Sequence, residues 1–538
     1  MSKTFRATIS HGLNNVAEQP DPIKLHVHGQ IPPWLSGVLY RTGPGTFSIP
    51  TKHGYEWKPV HWFDGLGLNH KFDIKPNGEV WYMSRKACPQ GEQSIAETGI
   101  NLNFSFDTSD PCETYFQKFT TFFKRAVGIT PYRAEADNVS VTLTPNMPGF
   151  AVPSSHTGNK VNAVEYIVAK TDADLLSILD PETLDVLGPA HYKDLDPALE
   201  GGTLASAHAC TDPINGDLFN HVYKFGPSPG YTAFRVRGKG PDRGKVAVLA
   251  NITDAPPAYL HSCCLTQKYF ILCVWQADIK WNGVTIPFHR NIMAAIADWD
   301  PQREALFYVI DREAGGVVAK YKTDPYFCFH TINAWDEGED VIIDLTAYDD
   351  HSILYTLKLD NMRFPLEYPK ASKGSPKRFL LSKVSSIPNG TIGPAKTVFY
   401  CAKTKAMELP TVHPAKYHRK YRYCYGVSIG GGPEVVISDQ ILKLDMDHPQ
   451  IESEEIRGNG SGQVWREEGC VPGEPIFVPR PGGTEEDDGV VLTVVLDSTL
   501  LRSKLVILDA RTMEEIARAE MNTIFPLGFH GTFVKSAL

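Results

Sequence analysis

GVVLTVVLDS (489–498) and KLVILDA (504–510) are two runs of aliphatic, largely β-branched residues, each ending in polar turn chemistry. Side chains of this kind fill pleated strands, and Asp, Asn, Gly and Pro at the ends stop them. The same composition recurs outward along the chain, in YFILCVWQADI (269–279) and EDVIIDLTAY (339–348). Turn signals separate such runs throughout: PNG (76–78), DPETL (180–184), DPING (212–216), DPQR (300–303) and SIPNG (386–390). Many short strands without a strand–helix alternation point to an all-β chain, a β-propeller or a large barrel. No strict internal repeat is present, so the number of blades cannot be counted from periodicity.

The exception to the strand pattern is DPCETYFQKFTTFFKRAVGI (110–129), where Phe116, Phe119 and Phe123 fall at helical spacing and Tyr115 and Phe122 widen the stripe. Two readings stand side by side: a core-packing helix, or an interfacial segment that dips its aromatic face into a membrane while Lys118, Lys124 and Arg125 meet headgroups. The acidic run 485–488 is read as a solvated turn.

Composition excludes several function classes. With 538 residues, 42% apolar, the chain can bury a large core, and a formal charge of −9 offers no basic field for nucleic acid. The N-terminal stretch lacks a secretory apolar segment, and the scattered cysteines form no CxxC pair, which predicts reduced thiols and a cytoplasmic protein. Peripheral attachment to a membrane or lipid droplet through 110–129 goes with the interfacial reading. No protein partner is evident. Neither HExxH nor GxSxG occurs, which removes the commonest zinc-peptidase and serine-hydrolase signatures.

Most of the 18 histidines, including His26 and His28, lie in polar or turn contexts that ask for no explanation. Four stand among apolar or small residues: His208 in ASAHACTDP, His261 in AYLHSCCLT, His330 in FCFHTINAW and His530 in GFHGTFV. Singly, each suits a hydrogen-bonded core histidine. A propeller would bring inner-strand residues from distant blades to one axis, where four imidazoles could share a metal.

Around these histidines the chain resembles the carotenoid cleavage oxygenases, in the branch holding animal β-carotene oxygenases, the retinoid isomerase and fungal carotenoid oxygenases. The resemblance runs in order through GVLYRTGPGTF (37–47), HWFDGLGLNHKFDI (61–74), SDPCETYFQKF (109–119), TDADLLSILDPETL (171–184), the four histidine segments, MELP (407–410), GEPIFVPRP (473–481), EEDDGVVL (485–492) and PLGFHGTFV (526–534). It implies a seven-bladed β-propeller over 21–538, after an N-terminal extension of 1–20, with a small helical and loop cap (including 110–129) over an axial iron. It further implies that His208, His261, His330 and His530 hold Fe(II), with O2 as co-substrate and no catalytic residue beyond the metal centre. Carboxylates are implied behind three rings: Asp172 for His261, Glu408 for His330 and Glu474 for His530. The family's animal members carry glutamate where this chain has Asp172, so either the backbone moves in or a water bridges the gap.

The implied reaction splits a conjugated double bond of a lipophilic carotenoid or apocarotenoid, such as a retinal precursor, into aldehydes. The alternative is cleavage of a hydroxylated stilbene or phenylpropenoid. Enzymes of that kind place a lysine just before the acid behind the ring, whereas this chain has Thr171 there, a candidate substrate-site residue, and Lys170 one position earlier.

Overall fold

The computed structural model describes residues 9–101, 105–108, 135–156, 159–226, 228–283, 291–364, 373–388, 390–430, 437–448 and 462–536. The segment 110–129, with Phe116, Phe119, Phe122 and Phe123, lies outside them.

The strands assemble into seven sheets of four to six strands, antiparallel except for one parallel edge pair in the fourth, arranged as the blades of a propeller. From the first blade to the seventh, the innermost strands are Gly531–Lys535, Thr142–Pro145, the pair Gly202–Ala205 and Cys210–Thr211, Cys264–Leu265, Phe327–Glu337, Glu408–Val412, and the pair Cys470–Pro472 and Ile476–Pro479. These strands adjoin one another around the axis, for example Phe327–Glu337 against Glu408–Val412, and His208 bridging to Ser262.

Gly489–Asp497 shows why the strand runs read as continuously apolar: all nine of its residues are buried. Each blade is sandwiched between two others, so both strand faces are covered. Val490, Leu492 and Val494 pack with Leu39, Phe72 and Tyr82 of the first blade, while Val491 and Val495 pack with Tyr425 and Val427 of the sixth. The period-two alternation is thus present, but it sorts residues between two apolar interfaces rather than between core and water.

The ring is closed twice. Near the N-terminus, His26–Gly29 pairs with Glu515–Glu520 as the outermost strand of the seventh blade. Near the C-terminus, Gly531–Lys535 pairs with Gly37–Thr46 as the innermost strand of the first.

The acidic run is not simply a solvated turn. Glu486 accepts hydrogen bonds from the Arg422 and Tyr423 N–H groups at 2.7 Å each, and buried Asp487 pairs with Lys443 at 2.8 Å. Through Glu486 and Asp487 the run pins the seventh blade to the sixth.

The described part of the cap consists of Ile353–Thr356, Leu359–Arg363 and the single turn Trp62–Asp64. His61 joins them: its Nδ1 accepts from Phe63 N–H at 3.1 Å, and its Nε2 lies 2.8 Å from the Leu354 carbonyl, to which it donates. That pairing needs a neutral ring, and burial pulls the His61 pKa down to about 3, with nearby Lys358 adding to the effect. Burial likewise takes His70, hydrogen-bonded to Tyr82, down to about 3. Both groups have folded values below their unfolded value of about 6.5, so the unfolded chain takes up protons first. The metal-free protein should therefore lose stability as pH falls from about 6.5 towards 3. Thermal melts between pH 7 and pH 4 check this, and His61→Gln should flatten the dependence.

Candidate metal centre

His208, His261, His330 and His530 come from inner strands, or the residues flanking them, of four blades, and the structure brings all four together. One ring nitrogen from each lies within 4.8 Å of the others. His530 Nε2 is 3.0 Å from His208 Nε2 and 3.3 Å from His330 Nε2. His261, His330 and His530 are buried, and His208 is half-buried.

Three of the rings are held from behind. His330 Nδ1 donates to Glu408 Oε2 at 2.6 Å, and His530 Nδ1 to Glu474 Oε1 at 2.7 Å. His261 Nδ1 meets both oxygens of Asp172, at 2.8 and 2.9 Å. The shorter aspartate therefore reaches its imidazole directly, and no bridging water is needed. Asp172 is drawn to the third blade by Ala205 N–H on its carbonyl and Ala207 N–H on its carboxylate. With their protons on Nδ1, these three rings turn Nε2 lone pairs towards one point.

Each carboxylate has further donors. Tyr259 donates to Asp172 at 2.9 Å, and Tyr348 donates to Glu408 at 2.7 Å. Glu474 accepts from Gly531 N–H at 2.8 Å and from the buried Arg41 guanidinium at 2.6 Å. Burial alone would raise the Glu408 and Glu474 carboxyls. His330 and Tyr348 hold the first below the ordinary range, and His530 and Arg41 the second. Burial, then the neighbouring rings, holds His208 well below its usual value, and burial takes His530 to about 4 against the pull of Glu474. His208 and His530 are therefore neutral near pH 7.

Arg41, Tyr259 and Tyr348 escaped the sequence reading. Arg41 carried a signal, a lone cation inside the buried strand Gly37–Thr46. Tyr259 sits two residues before His261 on the same side of an extended segment, and Tyr348 closes the EDVIIDLTAY run.

Thr171 lies beside the centre in sequence, and its hydroxyl accepts from Ala173 N–H at 3.1 Å, a local turn contact. Lys170 is buried near Cys210 and Cys263, and burial pushes its ammonium down to about 8. On the cap side, Phe63 stands 5.8 Å from Phe329 and 5.5 Å from Phe529 between ring centroids, and Phe329 is 5.9 Å from His261. An apolar aromatic wall thus adjoins the four nitrogens.

The family described as the retinal pigment epithelial membrane protein, RPE65, matches residues 12–535. The chain belongs to that family. Within it, the chain is 35% identical to a carotenoid dioxygenase of Neurospora crassa, over 97% of this chain and 90% of that protein. It is 33% identical to a torulene dioxygenase of Fusarium fujikuroi, over 97% and 93%. The propeller matches that of Synechocystis apocarotenoid oxygenase with a TM-score of 0.75 at 24% identity, covering 98% of this chain and 99% of that one. Among the described residues of this RPE65-family chain, no helix is long and apolar enough to cross a membrane.

Proposed function

We propose that His208, His261, His330 and His530 hold iron(II), and that the protein cleaves a double bond of a carotenoid or apocarotenoid with O2, giving aldehydes. The observation that carries this is the charge of the shell bonded to the rings. Three carboxylates and one guanidinium leave two negative charges behind the imidazoles, and a divalent cation at the convergent nitrogens neutralises them. Bound there, iron(II) supplies activation of O2 without an external reductant, since both oxygen atoms can enter the products.

The chain's own residues do the rest. Asp172, Glu408 and Glu474 fix ring tautomer and direction, while Phe63, Phe329 and Phe529 offer a polyene an apolar face and exclude water. No side chain is required to move a proton in this reaction. The carotenoid reading rests on the relatives named above, a carotenoid dioxygenase and a torulene dioxygenase. Stilbene cleavage is not favoured, because Thr171 stands where a phenol-binding lysine would, and its hydroxyl is engaged locally.

The deciding experiment incubates the iron-loaded protein with β-carotene, an apocarotenal and resveratrol, and identifies aldehydes by mass spectrometry. Carotenoid-derived aldehydes are expected; aromatic aldehydes from resveratrol alone would overturn the substrate reading. Glu408→Gln is expected to weaken iron binding by about 10–100-fold with the fold retained. Competition against a metal-sensitive dye measures it, and an unchanged affinity would remove Glu408 from its role. For 110–129, Phe119→Glu with Phe123→Glu should reduce liposome binding while the fold persists; unfolding instead would favour the core-packing reading.

A further inference from the structure

Far from the axis, the seam that closes the ring gathers three other side chains. His26 and His28 alternate along the strand His26–Gly29, so both rings leave the same face. Glu520 is the cross-strand partner of His26 on Glu515–Glu520. His26 Nδ1 is 3.0 Å from His28 Nε2, and His28 Nε2 is 3.5 Å from Glu520 Oε2. One ligand atom from each of the three lies within 4.8 Å of the others. Two ligands roughly 2.0–2.1 Å from one tetrahedral zinc are themselves about 3.3–3.4 Å apart, so these separations bracket that value.

The surrounding charges leave the site accessible. Lys504 and Arg518, the nearest cations across the sheet, are engaged by Glu467 with Asp497 and with Glu515 respectively. Among the described residues Arg502 competes, meeting Glu520 Oε2 at 3.1 Å. Both imidazoles are exposed, so packing of the blade gives no reason for two histidines here.

We infer that His26, His28 and Glu520 form a second, peripheral metal site, for zinc(II) or an ion of similar borderline character. Two imidazole nitrogens and one carboxylate oxygen form a ligand set of the kind zinc accepts, with water completing the coordination. A metal bound there joins the N-terminal strand to the seventh blade across its ladder, adding side-chain ligation to the backbone pairing. Because the ion binds only the closed ring, it stabilises closure in proportion to its occupancy.

The test uses the iron-loaded, full-length protein and zinc chloride alone, titrated by calorimetry and followed by thermal melts and iron analysis. The expected result is one added zinc per chain, a raised Tm, and no loss of iron or of aldehyde production. His28→Ala and Glu520→Gln should each weaken zinc binding by at least about tenfold, and Arg502→Gln should tighten it several-fold by removing the competing cation. His28→Gln provides a variant of similar size in case the alanine disturbs the edge strand. An unchanged zinc isotherm in the His26→Ala/His28→Ala double variant, or zinc uptake only with matching loss of iron, would overturn the inference.

Discussion

His530→Ala is expected to leave the propeller folded, to reduce bound iron from about one per chain to background, and to lower kcat/KM by at least about 10³-fold, equivalent to about 4 kcal/mol of transition-state stabilisation. His530 Nε2 lies 3.0 Å from His208 Nε2 and 3.3 Å from His330 Nε2, and its removal also strands Glu474 without its imidazole partner. Arg41 and Gly531 N–H still satisfy that carboxylate, so the structural cost is modest and the loss falls on the metal. Metal analysis together with aldehyde quantification by chromatography separates the two effects. Iron-loaded variant protein with undiminished turnover would remove His530 from the centre. Truncation before His530 is a poorer experiment, because it also removes Gly531–Lys535, the innermost strand of the first blade.

The second large effect is expected on stability. Arg41→Ala should destabilise the protein by about 3–5 kcal/mol near neutral pH, the usual cost of leaving a buried charge without its partner. The Arg41 side chain is almost wholly buried; it donates to Glu474 Oε2 at 2.6 Å and reaches the Glu474 and Phe529 carbonyls at 3.3 Å. Without it the Glu474 carboxyl rises and takes a proton more easily. Its folded value then lies nearer or above the unfolded one, so the variant's deficit should shrink as pH falls from 7.5 to 5. Denaturant melts at the two pH values check this. Arg41→Ala/Glu474→Gln should be more stable than Arg41→Ala alone, since no buried charge remains unpaired. Gly531 has a related constraint: a Cβ there would lie 2.4 Å from Arg41 Cδ and 2.5 Å from the Tyr40 carbonyl, which explains glycine beside His530.

How far the sequence reaches differs between fold and site. The strand runs are legible because each is short, apolar and bounded by turn residues, as Gly489–Asp497 illustrates. The blade count was not, because the blades are unequal: the third has its inner strand broken into Gly202–Ala205 and Cys210–Thr211, and the fourth recruits Ile392–Pro394 as a parallel edge. Such irregularity erases any fixed repeat, and the number seven came from family resemblance. The four histidines were visible as residues, but their convergence was not, since nothing local in FCFHTINAW or GFHGTFV points at the other segment. Arg41 and Tyr259 were hidden for a further reason: they act by donating to the carboxylates Glu474 and Asp172, and that indirect role leaves no spacing to recognise. The acidic run 485–488 misled because a carboxylate accepting backbone N–H bonds looks, in sequence, like one facing water.

The double closure of the ring has a consequence for how the protein is made. His530 follows its neighbour His330 by 200 residues and enters the centre on the strand that completes the first blade. While the chain is still being synthesised, at most three of the four imidazoles are available, and the first blade lacks its inner edge. Completion of the four-histidine cluster is therefore a late event, coupled to the last step of assembly rather than to the folding of any one blade. A chain interrupted shortly before residue 530 would carry most of the propeller and not the finished four-histidine cluster.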